Sequence, residues 1–193
     1  AANFLVAGAI FGKAELAGLD TTSLQADLSI MDILMDAGAS LSQLDGKRGD
    51  IVVQRAPLQA FEVDASNCPD LFPILSVLAA FCQGTSRMSG VGRLANKESD
   101  RAKAILEMLT QMGVKAHIEG DVLHVEGHTL AQRLLDNTLL KGGVYTSHHD
   151  HRMVMALKVA SLGADSPITI DDEACVAKSF PQFHELFDSA RGK

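Results

Sequence analysis

The chain has 193 residues, a length that fits one large domain or two small ones. Hydrophobic residues make up 47% of it and aromatic residues only 5%, so we expect a core built mainly from aliphatic side chains. A formal net charge of −7 argues against a general nucleic-acid-binding protein, because such proteins are more often basic.

One helix–strand–helix pattern occurs three times along the chain. In each copy an apolar helix stops at a glycine (Gly12, Gly84 or Gly163), and a short strand, a loop and a second helix follow. The second helices of the first two copies end before Gly38 and Gly113, and a pair of strands comes next. The units cover approximately residues 1–56, 69–127 and 150–193. The pattern predicts an α/β fold in which repeated βαβαββ-type units form a single domain over residues 1–193, rather than three independent domains.

The segment from Asn67 to Asp70 is predicted to open the first helix of the second unit. A proline near the first helical position and an acid in the first turn are ordinary start signals. Asp70 is therefore either a helix-start carboxylate, which the spacing alone favours, or a general base at the helix N-terminus.

The sequence KESDR, from Lys97 to Arg101, precedes and enters the next predicted helix, with Ser99 as a plausible N-cap. It is either a solvated charge run or a site for a bound anion with Glu98 as proton carrier. The helix dipole disfavours Arg101 in a first turn, and its presence there suggests an external anion.

Another cation, Arg152, occupies the first turn of a helix that Asp150 is predicted to cap. Three histidines lie beside it: His148, His149 and His151. A metal site, histidines without function, and a combined anion and proton site all remain open. No cysteine, glutamate or further histidine flanks them at metal-ligand spacing, so metal is the least favoured.

Lys178 stands just before a fourth predicted helix, which Ser179 could cap and which carries Pro181 in its first turn. An isolated lysine outside a helix is usually only solvated. Because repeated units can bring equivalent helix starts together, we expect all four starts to face one side of the domain, with their ionic residues in one site.

The three cysteines are Cys68, Cys82 and Cys175, and their wide spacing indicates no zinc motif and suits a reducing cytoplasm. We interpret them as buried apolar side chains without a catalytic role. No apolar run approaches the roughly 20 residues of a membrane span.

Four stretches together resemble the family of 5-enolpyruvylshikimate-3-phosphate (EPSP) synthases, also called 3-phosphoshikimate 1-carboxyvinyltransferases. They are CPDLFP, GVGRLANKESDRAKAILEMLTQMG, SHHDHRMVMALKVA and ITIDDEACVAKSFPQF. The resemblance covers essentially the whole chain. It implies a two-domain enzyme in which helix N-termini face the cleft between the domains. It also implies that this chain is most of the C-terminal domain, without its N-terminal partner domain.

The resemblance implies transfer of the enolpyruvyl group from phosphoenolpyruvate to the 5-hydroxyl of shikimate 3-phosphate, with release of phosphate. This is a step of the shikimate pathway toward aromatic amino acids, in a monomeric cytoplasmic enzyme, and it implies no metal or organic cofactor. Because the resemblance implies that half of the cleft is missing, the chain alone is expected to be inactive.

The resemblance also implies roles for individual residues. Asp70 resembles the carboxylate that takes the hydroxyl proton and holds the shikimate ring, and Glu98 resembles the acid–base group acting at the methylene carbon of phosphoenolpyruvate. Lys97 resembles a contact on the shikimate phosphate side, and His151 a nearby polar support. The cations expected around the phosphate and carboxylate of phosphoenolpyruvate are Arg101, Arg152 and Lys178.

Two positions depart from the family pattern. His149 stands where Gly or Asn is more common, and Arg93 stands where some members have a substrate-binding Asn, a role we do not transfer. Two alternatives remain: a related enzyme acting on a UDP-sugar, which KESDR and DHRMVM disfavour, and a non-catalytic anion-binding domain.

Overall fold

A computed structural model describes residues 1–19, 29–43, 49–95 and 100–191 of the protein. Within these ranges, helices alternate with the strands of three sheets, which confirms the predicted α/β class. None of the helices in these ranges combines the length and the hydropathy needed to cross a bilayer.

The first sheet lies in the N-terminal part of the chain and is entirely antiparallel, with strand order β1-β3-β2. Its elements are α1 (Ala2–Phe11), β1 (Lys13–Leu16), α2 (Ser29–Asp36), β2 (Ser40–Gln43) and β3 (Ile51–Gln54). Helix α1 packs against β1 and β3, so its apolar residues join the sheet to the core.

The second sheet has the order β4-β5-β7-β6. Strand β4 runs parallel to β5, whereas β5, β7 and β6 are mutually antiparallel. Along the chain, the strands of this sheet and the helices between them are β4 (Glu62–Asp64), α3 (Phe72–Ala80), β5 (Gly84–Ser89), α4 (Arg101–Gln111), β6 (Ala116–Glu119) and β7 (Val122–Gly127). Every residue of α3 is buried, and this helix packs against α1, α6 and β7 at the centre of the molecule.

The third sheet consists of two parallel strands. The remaining elements are α5 (Leu130–Leu135), β8 (Gly143–Tyr145), α6 (His151–Ala160), β9 (Ile168–Ile170) and α7 (Phe183–Arg191). Helix α6 packs against both α1 and α3, which makes one continuous core from aliphatic residues and a few phenylalanines.

The glycines that were predicted to end helices differ in backbone conformation and in role. Gly38 and Gly113 follow α2 and α4 with φ of 87° and 79°, the left-handed conformation that a helix C-cap favours. Of the three glycines after the first helices, Gly12 is the C-cap of α1, with an extended φ of −178° and its amide donating to the Gly8 carbonyl at 3.2 Å. The other two have different roles. Gly84 begins β5, and Gly163 ends a short 3₁₀ turn, where a Cβ would lie 2.4 Å from the ring of Phe81. Gly163 is therefore required by close packing rather than by a cap.

Two predicted N-caps are also wrong. Asp100 caps α4, its carboxylate accepting a hydrogen bond from the Lys103 amide at 3.2 Å, and Ser99 lies outside the described residues. Ser179 follows a 3₁₀ helix (Glu173–Lys178), and α7 begins only at Phe183. The residue before a proline is disfavoured in the helical region, which explains why the helix starts after Pro181 rather than before it.

Candidate functional site

Three helix starts meet at the buried guanidinium of Arg101, the first residue of α4. Its side chain is only 1% exposed, so its charge needs partners inside the protein. Arg101 Nε donates to Asp150 Oδ2 at 2.7 Å, and Arg101 Nη1 donates to Asp70 Oδ1 at 2.7 Å. Asp70 lies in the 3₁₀ turn before α3, and Asp150 is the N-cap of α6. One cation therefore joins the starts of α3, α4 and α6.

Arg152, in the first turn of α6, extends this arrangement toward solvent. Arg152 Nη2 lies 3.5 Å from Asp70 Oδ2, and the Arg152 amide donates to Asp150 Oδ1 at 2.8 Å. We call Asp70, Arg101, Asp150 and Arg152 the ionic cluster. Asp150 is fully buried, whereas the side chains of Asp70 and Arg152 are 38% and 26% exposed. The cluster is thus closed at Asp150 and open at Asp70 and Arg152.

The electrostatics of the cluster keep Arg101 charged. Burial by itself acts to lower the pKa of Arg101. The hydrogen bonds and negative charges of Asp150 and Asp70 outweigh that effect, and the pKa of Arg101 is raised above its ordinary value. This guanidinium is therefore a permanent positive charge beneath the more exposed part of the cluster.

A cavity of about 190 Å³ adjoins the open side of the cluster, with His151, Arg152 and Ser179 in its wall. Lys178 is exposed and immediately precedes Ser179, at the end of a 3₁₀ helix that packs against α6. The fourth predicted site segment therefore lies beside α6, although it is not a helix start. The start of α1 also lines this cavity, through Ala1, Ala2 and Asn3.

The predicted site residues thus fall into three groups. Asp70, Arg101 and Arg152 are joined by ion pairs, while His151 and the neighbour of Lys178 share the adjoining cavity. Lys97 and Glu98 lie outside the described residues, so their placement stays a prediction. The anions that Arg101 contacts in this structure are carboxylates of the protein itself. The sequence argument from its unfavourable first-turn position had suggested an external anion.

Asp150 has a second role that the sequence reasoning missed. The sequence indicated it only as a helix cap, and it does accept the Arg152 amide, but its other oxygen holds Arg101. A usable signal was present, because an arginine that the helix dipole disfavours in one first turn requires a nearby carboxylate. Which carboxylate it would be could not be read from residues 49 positions apart.

The loop before Asp150 is held in an uncommon conformation. His148 and His149 have φ of 53° and 57°, in the left-handed region where Gly and Asn are favoured. The amide and hydroxyl of Ser147 donate to Asp171 Oδ1 at 2.8 and 3.0 Å. The hydrogen bond from the Ser147 amide is the main reason that the pKa of Asp171 falls to about 2. These contacts anchor the loop that delivers Asp150 to Arg101.

The three histidines of this segment face different partners. His148 Nε2 lies 3.2 Å from Glu107 Oε2 of α4, whereas His149 Nδ1 lies 2.7 Å from Asp172 Oδ2. His151 lines the cavity beside Arg152. The geometry therefore favours separate contacts for these histidines over a shared metal ion.

The cysteines are buried as predicted. Burial raises the pKa of Cys82 to about 12, which disfavours the thiolate that a nucleophile requires. Burial, followed by the nearby charge of Asp172, raises the pKa of Cys175 as well.

The comparison with protein families decides the family of the chain. The model of the family named EPSP synthase (3-phosphoshikimate 1-carboxyvinyltransferase) matches residues 1–187. The chain belongs to the EPSP synthase family. The resemblance drawn from its motifs is confirmed at this level.

Individual relatives of the EPSP synthase family match nearly all of the chain. A 3-phosphoshikimate 1-carboxyvinyltransferase of Brachyspira hyodysenteriae is 40% identical over 194 residues, which cover 100% of this chain and 44% of the relative. The enzyme of the same name from Aeropyrum pernix is 38% identical, covering 94% of this chain and 40% of the relative. The chain therefore spans less than half the length of these curated relatives.

Solved structures give the same relationship. EPSP synthase from Acinetobacter baumannii superposes with a TM-score of 0.80 at 30% identity, over 98% of this chain and 44% of that protein. The enolpyruvyl transferase NikO from Streptomyces tendae superposes with a TM-score of 0.69, over 97% of this chain and 41% of NikO. At 15% identity, the likeness to NikO concerns the fold alone.

Proposed function

We propose that this chain forms one domain of a two-domain EPSP synthase and contributes one wall of its active-site cleft. The whole enzyme would transfer the enolpyruvyl group of phosphoenolpyruvate to the 5-hydroxyl of shikimate 3-phosphate and release phosphate. The observation that carries the proposal is the ionic cluster, in which helix starts present two guanidinium groups and a partly exposed carboxylate together. Family membership supports the choice of reaction.

The cationic residues would bind phosphoenolpyruvate. Arg152 is the more exposed of the two guanidinium groups of the cluster and lies in the first turn of α6, where the helix dipole also attracts anions. Lys178 would approach from the neighbouring 3₁₀ helix, and Arg101 would add a fixed charge from beneath. Charge-assisted hydrogen bonds of this kind are about twice as strong as neutral ones.

The carboxylates would move the protons. Asp70, the partly exposed carboxylate of the cluster, would hold the shikimate ring. It would take the proton of the 5-hydroxyl group as the hydroxyl oxygen attacks C2 of phosphoenolpyruvate. Glu98 would protonate the methylene carbon during that addition and remove a proton from the resulting methyl group as phosphate leaves. Lys97 would contact the phosphate of shikimate 3-phosphate, and His151 would support Arg152.

Asp150 would act as a positioning residue. It accepts hydrogen bonds from Arg101 Nε and from the Arg152 amide, so it fixes the two cations relative to each other before substrate arrives. Preorganised charges of this kind need not reorganise when charge develops during the reaction.

The remaining part of the parent enzyme would supply the opposite wall of the cleft. We therefore expect negligible enolpyruvyl transfer from the chain alone, because closure around the substrates provides orientation and excludes water. We further infer that the parent enzyme is a monomer of the reducing cytoplasm, which is compatible with three buried cysteines.

Two substitutions in the assembled two-domain enzyme test the proposal. Glu98→Gln keeps the shape of the side chain but loses its titrating proton, so turnover should fall by about 10²–10⁴-fold with nearly unchanged substrate binding. Arg152→Ala removes a contact present before reaction, so it should weaken phosphoenolpyruvate binding. Steady-state kinetics and isothermal titration with phosphoenolpyruvate separate the two effects.

The matched controls are Glu62→Gln and Arg87→Ala. Glu62 and Arg87 form an ion pair on the outer face of the second sheet, outside the ionic cluster. Both control enzymes should keep normal turnover and affinity. If Glu98→Gln retained near-normal turnover, Glu98 would be a solvated charge and its proposed role would be rejected.

A further inference from the structure

The outward face of the β6–β7 hairpin carries a compact group of metal-binding side chains. His117 on β6 lies directly opposite His124 on β7 in the antiparallel register. Glu119 is two residues beyond His117 on the same strand, so its side chain emerges on the same face. One ligand atom from each of the three residues lies within 4.8 Å of the other two.

The two imidazole rings are already held side by side. Their centroids are 4.7 Å apart and their planes differ by 2°, while His124 Nε2 lies 4.0 Å from Glu119 Oε2. Nitrogen ligands of zinc lie about 2.0–2.1 Å from the metal, which corresponds to roughly 3.3 Å between two ligands of a tetrahedron. Rotation of side chains can close the difference, because His117 and Glu119 are exposed and the strand ladder fixes their backbone.

The type of ligand and the local charge both favour a transition metal. Two imidazoles and one carboxylate are a donor set of open zinc sites, in which the fourth position is left for water or an external ligand. The nearest cation in the register is Arg87 of β5, opposite His124, and Arg87 forms an ion pair with Glu62. Its charge is therefore offset, and Glu119 contributes a negative charge to the group.

We propose that His117, Glu119 and His124 bind one divalent transition-metal ion of the zinc type on the outer face of the second sheet. These residues belong to neither the ionic cluster nor its adjoining cavity, so the inference is independent of the proposed function. A bound ion would link the edge strand β6 to β7 through side chains as well as through the backbone. Metal binding should consequently stabilise the folded chain.

The test is a titration of the untagged chain, first treated with a chelator, with Zn²⁺ in a calorimeter. We expect saturable binding of one ion and an increase in the melting temperature that the chelator reverses. Each of His117→Gln, His124→Gln and Glu119→Gln should weaken binding by about tenfold or more, since even second-shell changes cost 10–100-fold in metal affinity.

Two matched substitutions, one on β7 and one just after it, serve as controls. Glu126 lies on β7 and pairs with Lys115 at 3.9 Å, and His128 follows the end of that strand. Glu126→Gln and His128→Gln should bind Zn²⁺ as the unchanged chain does. The absorption spectrum of bound Co²⁺, which distinguishes tetrahedral from octahedral coordination, provides a second measurement on every variant that retains its circular-dichroism spectrum.

The proposal is overturned by any of three results. These are the absence of saturable binding, equal binding by the three ligand variants and the unchanged chain, and equal losses in the ligand and control variants. Because the measurement is of metal binding, its failure would leave the proposed enolpyruvyl transfer unaffected.

Discussion

A buried arginine lies near each end of α3, and the two have different partners. At the N-terminal end, Arg101 is 1% exposed and is bound by the carboxylates of Asp70 and Asp150. Toward the C-terminal end, Arg133 is 4% exposed and donates to the carbonyl oxygens of Ala80 and Thr138. The guanidinium carbon of Arg133 also lies 5.5 Å from the centre of the Phe81 ring.

The partners explain the opposite pKa shifts of the two residues. Burial lowers the pKa of Arg133, and its carbonyl partners carry no full charge to offset the loss of water. Burial acts in the same direction on Arg101, but two negative charges reverse the result. Neutral carbonyls suit a fixed cap on the end of a helix. Carboxylates on separate elements suit a site, because Asp150 holds both Arg101 and the Arg152 amide and so fixes the more exposed cation, Arg152.

The largest expected effect comes from removing the cation at the N-terminal end. Arg101→Met leaves the fully buried Asp150 without its cationic partner, so we expect the free energy of unfolding to fall by about 3–5 kcal/mol. Urea denaturation measures the change. Adding Asp150→Asn should cost less than the sum of the two single substitutions, because the second change removes the uncompensated charge. Strict additivity would show that the pair is not energetically coupled.

Removing the other arginine should have a smaller effect that is confined to stability. Arg133→Met removes the guanidinium donors of the Thr138 and Ala80 carbonyls, of which Ala80 keeps only the hydrogen bond from the His128 amide. We expect a loss of about 1–3 kcal/mol in the free energy of unfolding. In the assembled two-domain enzyme the affinity for phosphoenolpyruvate should be unchanged after Arg133→Met and reduced after Arg101→Met. A comparable loss of affinity in both variants would remove the distinction between cap and site.

The strained loop beside the ionic cluster offers a more sensitive test. His149→Val places a β-branched residue at a φ of 57°, so we expect a loss of about 1–2 kcal/mol in the free energy of unfolding. His149→Asn should change it by less than about 0.5 kcal/mol, because better tolerance of this conformation offsets the loss of the exposed pair with Asp172. Equal effects of Val and Asn would mean that the backbone conformation is not the cause.

Acid should weaken the same loop but leave the contacts of Arg133 with carbonyl oxygens unchanged, because carbonyl groups do not titrate in this pH range. The pKa of Asp171 is about 2 in the folded protein, below its ordinary value of 3.8. Its contribution to stability is therefore present above about pH 4 and is lost as the pH falls toward 2. Urea midpoints measured across this interval should fall less steeply in Asp171→Asn than in the unchanged chain. Identical slopes would contradict the assignment.

Much of this protein could be predicted from local sequence. Asp150 caps α6 as its position predicted, and Gly38 and Gly113 end α2 and α4, because caps and C-terminal glycines act within a few residues of their own helix. Four motif stretches together, among them those with KESDR and DHR, identified the family. The KESDR and DHR motifs also placed Arg101 and Arg152 in first turns, as the structure has them. These features depend on residues that lie close together in the chain, so they can be predicted from the sequence.

Only the tertiary structure decided which charges meet. Asp70, Arg101 and Asp150 come from three helix starts separated by 31 and 49 positions, and the packing of α3 against α4 and α6 brings them together. The spacing of residues along the chain could not distinguish an arginine that binds substrate from one that binds carboxylates of the protein itself. The same limit applies to His117 and His124, which the β6–β7 register places opposite each other. Long-range electrostatics depends on distance through space, and that distance is set by core packing rather than by position in the chain.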